Sequence, residues 1–288
     1  AIHEDEKFGP DYFLPTDAYL ETCAAVGAGF FSQRMNQLTC NARYMDEVER
    51  VLYNNVLTGV SLSGDKYTYQ NPLNTDKPDR WEWHVCPCCP PMFLKIMAAM
   101  PGYIYAYQGD NVYVNLFIGS EVRVPVGKSN SVRLKQLTSY PWHGAVSIQV
   151  NPDKASTFSM KVRIPGWAQG TDVLLRIVDG YAEINREWKK GDHIELELPM
   201  QPRLITANKA VENLRGQVAL ASGPIIYCFE DADNPELQTF KLQAQTPLEL
   251  SHDSNLLNGV NIIKCQGDIP AKAIPYYSVA NREESHSY

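Results

Sequence analysis

In the stretch PMFLKIMAAMPGYIYAY, from Pro91 to Tyr107, the chain changes from a helical to a strand pattern. The apolar run at its start favours a helix, and proline suits the first helical turn because no intrahelical donor is lost there. Pro101 and Gly102 end that helix, after which aromatic and apolar residues alternate as in a strand. The sequence therefore predicts a helical region before residue 102 and a β region after it.

Two further helices are predicted upstream of this change. One runs from Ala18 to about Gln37, and the other runs from Met45 to Leu57 with apolar residues spaced by three and four positions. Gly59 provides a stop for the second helix. The aromatic segment that follows, Ser61 to Trp83, carries turn signals and predicts a loop with a short strand at 67–69.

The β region begins with a predicted hairpin between Tyr103 and Ile118, turning at Gly109. Further short apolar segments follow, each bounded by Gly, Pro, Asp or Asn, a pattern typical of an all-β sandwich. These segments are residues 146–150, 158–164, 173–177, 194–198, 218–220 and 225–229. We therefore predict a helical domain of residues 1–102 and a β-sandwich region of residues 103–288, built as one sandwich or two packed sandwiches.

Composition narrows the possible partners. A chain of 288 residues with 44% hydrophobic residues is long enough for two domains with sizeable cores. Its formal net charge of −7 and the lack of a basic patch argue against nucleic acid or an anionic membrane as partner. The sequence begins without Met or a signal-peptide pattern, so it does not indicate a cellular location and a preceding segment is expected.

Three of the seven cysteines lie within four positions, at Cys86, Cys88 and Cys89. An odd cysteine count at low density does not suit a disulfide framework. Cys88 and Cys89 precede a predicted helix start, where the helix dipole favours the thiolate that binds metal or attacks carbon. Glu21 and Cys23, two positions apart, share a face only in extended backbone, which puts them at the non-helical entry to the first helix.

These residues fit a tetrahedral zinc site. Such a site takes four ligands from Cys, His, Asp and Glu, and Cys23, Cys88 and Cys89 supply three of them. Glu21 or Cys86 is the candidate for the fourth. Spacing alone leaves buried structural thiols and thiol redox chemistry open as alternatives.

Several motifs resemble those of a known family. The segments EKFGPDYFLP (6–15), ETCAA (21–25) and CPCCPP (86–91) resemble the β-L-arabinofuranosidase family, glycoside hydrolase family 127, and its close relatives. The segments RIPGWA (163–168), AIPYY (273–277) and ANR (280–282) are similar to motifs in the β-domains of that family. The resemblance implies that residues 1–102 are the C-terminal helices of an (α/α)6 barrel followed by a jelly-roll-like sandwich, and that an N-terminal barrel segment is missing.

The resemblance also implies a catalytic site. It identifies Glu21, Cys23, Cys88 and Cys89 as ligands of Zn²⁺, with Cys88 as the nucleophile. Glu6 corresponds to the general acid/base, and Tyr69 to a tyrosine lining the sugar pocket. Apart from the resemblance, Trp83 and His84 precede the cysteine run and are predicted to contact substrate, because aromatic faces stack on sugar rings.

The function implied is a retaining glycoside hydrolase that releases L-arabinofuranose or a related sugar from an arabinose-containing oligosaccharide or glycan. Hydrolysis with retention of configuration at the anomeric carbon usually uses two carboxylates about 5 Å apart. Here a thiolate would replace one of them. A second hypothesis is a carbohydrate-binding β-sandwich protein in which the same residues hold a purely structural zinc ion. The sequence leaves a homo-oligomer open and does not identify the linkage.

Overall fold

The structure is a computed structural model that describes residues 9–16, 18–75, 80–83, 85–168, 175–236, 240–267 and 269–282. The chain divides into two compact units that interleave along the sequence. The first comprises Ala1–Ala28, Arg50–Lys95 and Gln201–Tyr288, and the second comprises Gly29–Glu49 and Ile96–Met200. The domain division predicted at residue 102 stays a prediction.

Helix among the described residues is concentrated before residue 105. The α-helices are α1 (Thr22–Thr39), α2 (Arg43–Val51), α3 (Cys89–Ala99) and α4 (Pro101–Ile104). A π turn, Leu52–Val56, and a 3-10 turn, Leu57–Gly59, continue directly from α2. The described helices do not by themselves amount to an (α/α)6 barrel, so that part of the predicted fold stays a prediction.

The first helix begins later than its apolar pattern predicts. Thr22 donates its backbone N–H to the carbonyl of Tyr69 at 3.0 Å, and Glu21 forms an isolated antiparallel bridge with Gln70. The backbone at Glu21 is therefore extended rather than helical. This confirms the predicted non-helical entry for Glu21, but the same prediction was wrong for Cys23, which is the second residue of α1.

The second unit contains two sheets. One has the order β1 (Tyr105–Gln108), β2 (Asn111–Val114), β6 (Ser156–Arg163), β8 (Tyr181–Trp188) and β7 (Ile177–Val178). The other has the order β3 (Ser120–Val126), β4 (Asn130–Thr138), β5 (Ala145–Pro152) and β9 (Asp192–Glu197). Alternate residues of β5 are buried, as expected for a sheet with one face toward a core.

The hairpin predicted near Gly109 is present, with β1 and β2 antiparallel. The second strand of that hairpin then pairs with β6 in parallel, with Val112 opposite Met160. A parallel pair requires a long crossover connection, and here the crossover is formed by β3, β4 and β5.

The first unit contains one six-stranded antiparallel sheet. Its order is β10 (Arg203–Thr206), β11 (Val218–Ser222), β12 (Ile225–Phe229), β15 (Pro270–Pro275), β14 (Val260–Gln266) and β13 (Leu248–Asp253). Asn54, in the π turn, donates to the carbonyl of Pro224 and accepts the N–H of Ile226. These hydrogen bonds join the π turn to the start of β12 within the same unit.

The observed architecture is a mixture of a few helices and several sheets, which agrees with the predicted α-then-β order. Among the described residues, no helix is both long and apolar enough to cross a membrane.

Candidate metal and catalytic site

Glu21, Cys23, Cys88 and Cys89 come together within the first unit. One ligand atom from each residue, a carboxylate oxygen or a sulfur, lies within 4.8 Å of every other. The Cys23 and Cys89 sulfurs are 3.4 Å apart, and the Cys88 and Cys89 sulfurs are 3.9 Å apart. The structure thus brings together two pairs of residues that are more than sixty positions apart in sequence.

Two helix starts position the cluster. Glu21 and Cys23 flank Thr22, where α1 begins, and Cys89 is the first residue of α3. Cys88 immediately precedes α3, and its carbonyl accepts the N–H of Met92 at 3.3 Å. Pro90 and Pro91 occupy the first turn, where a proline removes no intrahelical hydrogen bond.

The donor set fits a zinc ion. In a tetrahedron with Zn–S bonds of about 2.3 Å, neighbouring sulfurs lie about 3.8 Å apart. The observed sulfur–sulfur distances of 3.4 and 3.9 Å lie near this value. The Cys88 sulfur is also 3.2 Å from Glu21 Oε1, so a carboxylate completes a set of three sulfurs and one oxygen.

Burial dominates the electrostatics of the thiols. It raises the pKa of Cys89 to about 12, and it raises the pKa of Cys23 and of Cys88 above the ordinary thiol value. Neighbouring thiols raise the pKa of Cys23 further. Burial therefore opposes the thiolate form that was expected at these helix starts. A bound cation would stabilise the thiolate form and so lower the thiol pKa values.

Tyr69 lies beside Cys88. Its hydroxyl oxygen is 3.8 Å from the Cys88 sulfur, and its ring packs edge-on against Tyr19 with centroids 6.0 Å apart. A hydrogen bond with Tyr19 and burial raise the pKa of Tyr69, so its hydroxyl stays protonated and can donate. The position of Tyr69 near the predicted nucleophile agrees with the prediction, and its contact with sugar stays a prediction.

The remaining predicted residues are Trp83, Glu6 and His84. Trp83 is 72% exposed, and its part in substrate binding stays a prediction. Trp81, two positions earlier, instead stacks on Tyr69 at 5.6 Å between ring centroids. Glu6 and His84 lie outside the described residues, so their predicted roles as acid/base and substrate contact also stay predictions.

Sequence analysis missed several residues that surround the cluster. Tyr19 lies two positions before Glu21 in the non-helical segment ahead of α1 and packs edge-on against Tyr69. Thr22, Asn71 and Arg80 are buried polar residues around the same segment. No local sequence signal distinguishes these three from ordinary cap, turn and loop residues.

A site of three cysteines and a glutamate at two helix starts, followed by sheets of short strands, defines the chain as a candidate metalloprotein of mixed α and β structure. Three sequence profiles of glycoside hydrolase family 127 match successive parts of the chain. Those described as the β-L-arabinofuranosidase catalytic domain and middle domain match residues 1–102 and 111–200. The one described as the C-terminal domain of the family matches residues 202–287. The chain belongs to glycoside hydrolase family 127.

Known proteins support this assignment. The chain is 32% identical, over an alignment covering 98% of it and 50% of the relative, to the non-reducing end β-L-arabinofuranosidase of Bifidobacterium longum subsp. longum. A family 127 β-L-arabinofuranosidase from Geobacillus stearothermophilus T6 superimposes with a TM-score of 0.92 and 35% identity, covering 97% of this chain and 51% of that one. A second structure, described as a family 127 β-arabinofuranosidase, gives 0.92 and 34%, covering 100% and 51%. The chain therefore spans about half the length of these relatives.

Proposed function

We propose that this chain carries the zinc-binding nucleophile of a retaining glycoside hydrolase that releases L-arabinofuranose, or a related sugar, from an arabinose-containing oligosaccharide or glycan. One observation carries the proposal: ligand atoms of Glu21, Cys23, Cys88 and Cys89 lie within 4.8 Å of one another in a chain of family 127. The similarity to the non-reducing end β-L-arabinofuranosidase of Bifidobacterium longum supports the choice of sugar.

Glu21, Cys23, Cys88 and Cys89 would hold Zn²⁺. When bound, the ion would keep the Cys88 sulfur deprotonated at neutral pH. Three sulfurs and one carboxylate oxygen form a donor set that zinc prefers. The close sulfur spacing supports a metal-bound rather than a metal-free working state.

Cys88 is the best candidate for the nucleophile among the three sulfurs. Cys89 is fully buried at the start of α3, so its sulfur has no access to a sugar. Cys23 is half-buried and its sulfur lies 3.4 Å from that of Cys89. Cys88 is half-buried and adjoins the hydroxyl of Tyr69, a donor suited to orienting a sugar oxygen or the sulfur.

The reaction would proceed by double displacement. The Cys88 sulfur attacks the anomeric carbon while the bond to the leaving oxygen breaks, and Glu6 donates a proton to that oxygen. Glu6 then accepts a proton from water, whose oxygen attacks the same carbon and releases the Cys88 sulfur. Two inversions give net retention, and Trp83 and His84 would supply contacts to the bound glycan.

Residues 1–102 would belong to the C-terminal part of an (α/α)6 barrel, and the rest to β-sandwich domains. Exposed apolar residues on the helices support this proposal, because the described helices leave them without cover. Phe31 and Leu38 of α1 are 64% and 79% exposed, and Leu94 of α3 is 65% exposed.

Replacing Cys88 in the full-length protein tests the proposal. Cys88→Ala should lower hydrolysis of an aryl β-L-arabinofuranoside by at least about 10³-fold, since removal of a nucleophile commonly costs that much. Cys265→Ala, in β14, is the matched control and should leave activity unchanged. Zinc is measured on all three proteins, with about one ion per wild-type chain expected.

The outcomes separate the alternatives. Unchanged hydrolysis by Cys88→Ala, with zinc retained, would contradict the nucleophile assignment. A wild-type protein that binds zinc and the glycan but does not hydrolyse the aryl β-L-arabinofuranoside would favour a structural zinc site in a carbohydrate-binding protein. A wild-type protein that lacks zinc and reversibly oxidises Cys86 or Cys88 would favour thiol redox chemistry instead.

A further inference from the structure

A buried polar network surrounds the segment that carries Glu21 and Cys23. Its members are polar or charged, lie within the first unit and are almost fully shielded from solvent. They are Thr22, Thr58, Thr68, Asn71 and Arg80. Buried polar groups are costly unless they are hydrogen-bonded, so such a network holds its members in one arrangement.

Arg80 forms one end of the network. Its guanidinium donates to three backbone carbonyls: Nε to Val279 at 2.9 Å, Nη1 to Thr58 at 2.8 Å and Nη2 to Tyr277 at 3.0 Å. The planar fork of arginine matches three acceptors in fixed directions, which a lysine ammonium does not reproduce. Arg80 thus ties the loop before the cysteine run to the turn after β15.

That turn is itself fixed by a buried carboxylate. Glu230 accepts the N–H of Ala280 at 2.9 Å and the Nε–H of Arg282 at 2.9 Å. Asn281 accepts the N–H of Leu62 at 2.8 Å. The Tyr277 and Val279 carbonyls that accept from Arg80 therefore belong to a segment that is held at several points.

Side chains continue the network from Thr58 to the ligand segment. The Thr58 hydroxyl lies 2.5 Å from the Asn55 carbonyl and 2.8 Å from Asn71 Oδ1, so two acceptors share its one hydrogen. Asn71 Nδ2 donates to the Thr22 hydroxyl at 3.0 Å and to the Leu20 carbonyl at 3.1 Å. The Thr22 hydroxyl in turn donates to the carbonyl of Thr68 at 2.8 Å.

The network reaches the cysteine cluster along two backbone routes. Thr22 lies between Glu21 and Cys23, and its N–H bonds to the carbonyl of Tyr69. Trp81, next to Arg80, exchanges backbone hydrogen bonds with Tyr67 at 2.8 and 2.9 Å and stacks on Tyr69. Displacement of the network would therefore move Glu21, Cys23 and Tyr69 together.

We infer that Thr22 and Arg80 are positioning residues that pre-arrange the ligand set through this network, an inference that rests on the proposed function. Groups outside the ligands that fix their orientation commonly change metal affinity by about 10- to 100-fold when removed. Thr22 and Arg80 bind neither substrate nor metal in this scheme. Their effect is transmitted through backbone position.

Thr22→Val and Thr22→Ser form the matched test in the full-length protein. Valine keeps the shape of threonine but loses the hydroxyl, whereas serine keeps the hydroxyl. We expect Thr22→Val to weaken the zinc Kd, measured by chelator competition, by about 10- to 100-fold, and Thr22→Ser to stay within about 3-fold of wild type.

A stability control separates positioning from general destabilisation. Asn54→Ala removes buried hydrogen bonds to Pro224 and Ile226 in the same unit, but not to the ligand segment. It should lower the melting temperature with an unchanged zinc Kd. Arg80→Lys is a second variant if Thr22→Val does not fold, and it should weaken the zinc Kd by about 10-fold or more.

A metal-free readout makes failure of this inference distinguishable from failure of the proposed function. In zinc-depleted protein, Thr22→Val should increase the alkylation rate of buried Cys89 by about 10-fold or more over both wild type and Thr22→Ser. If wild type binds no zinc, the proposed function fails and the alkylation rates alone decide the inference. Equal zinc Kd values and equal alkylation rates across the Thr22 pair would overturn the inference.

Discussion

Burial gives the cysteine cluster a defined response to metal. The pKa of Cys89 is raised to about 12, and the pKa of Cys23 and of Cys88 is raised as well, all chiefly by desolvation. Raised pKa values mean that the metal-free thiols are protonated at neutral pH. Zinc binds thiolates, so binding must displace these protons.

Proton release is therefore the expected signature of zinc binding at pH 7. About three protons should leave per zinc bound, one from each thiol. Calorimetry in buffers of different ionisation enthalpy measures this number directly.

Cys88→Ser supplies the control for proton release, because a serine hydroxyl does not ionise near neutral pH. It should release about one proton fewer than wild type. Release of no protons by wild type on zinc binding would contradict the proposed ligand set.

At the scale of elements, the turn between β7 and β8 depends on a single glycine. Gly180 has φ +81°, and a Cβ added there would lie 2.7 Å from the Cβ of Ala42. The carbonyl of Asp179 accepts the N–H of Ala42 at 2.8 Å, so the turn is held against this residue. Both the backbone conformation and the lack of space require glycine.

Gly180→Ala should lower the free energy of unfolding by about 3 kcal/mol or more, through a strained φ plus a steric clash. Gly191→Ala is the matched control, since Gly191 has φ +94° with no atom within 4 Å of an added Cβ. It should cost only about 1 kcal/mol. Equal losses in urea unfolding would show that the contact with Ala42 is unimportant.

A buried ion cluster joins α2 to β6 within the second unit. Arg163 is fully buried and pairs with Glu49 and, at 2.6 Å, with Asp46. Tyr140 donates its hydroxyl to Glu49 at 2.7 Å, so the carboxylate has additional partners. These carboxylates take the place of water around the buried guanidinium. Removal of one of them therefore leaves part of a buried charge without a partner, which is strongly destabilising.

Glu49→Ala should therefore lower the free energy of unfolding by about 3–5 kcal/mol, because it leaves a buried cation short of its partner. The exposed pair Arg215–Glu212 provides the comparison, with side chains 71% and 79% exposed. Glu212→Ala should change stability by less than about 1 kcal/mol. A small loss for Glu49→Ala in urea unfolding would contradict the assigned role of the cluster.

Local patterns predicted some of these elements and could not predict others. The hairpin of β1 and β2 followed from alternation around Gly109. The spacing of Glu21 and Cys23 predicted extended backbone at both residues, which is right for Glu21 and wrong for Cys23, the second residue of α1. Strands β3 and β4 were not predicted individually, although their apolar residues alternate with polar and charged ones as in a half-buried strand. The parallel pairing of β2 with β6 depends on a long crossover, which local pattern does not encode.

In the candidate site, too, local sequence patterns predicted some features and not others. Spacing identified thiols suited to metal but left structural and redox readings open. The two halves of the cluster are distant in sequence. Residue types indicated that Cys23, Cys88 and Cys89 meet in one zinc site, and the resemblance to a family chose Glu21 over Cys86 as the fourth ligand. Thr22, Asn71 and Arg80 act through buried hydrogen bonds that form only when the loop folds, so composition and periodicity do not identify them.

At the scale of the whole molecule, exposed apolar side chains on the helices require an explanation. Leu38 of α1 and Leu94 of α3 are 79% and 65% exposed. The chain spans about half the length of its family 127 relatives. We expect residues outside this chain, in a polypeptide of family length, to cover these helix faces and complete the proposed barrel.

Aspartate substitutions in a full-length protein test this expectation. Leu38→Asp and Leu94→Asp should each lower the free energy of unfolding by about 2 kcal/mol or more if the leucines are covered, because burial of a leucine is lost and a carboxylate is desolvated. Leu137→Asp in β4 is the control, as Leu137 is 47% exposed. It should cost about 1 kcal/mol, because about half of the Leu137 side chain is already in solvent. Losses as small for Leu38→Asp and Leu94→Asp would mean that these helix faces remain in solvent, and the proposed barrel would lose its support from exposure.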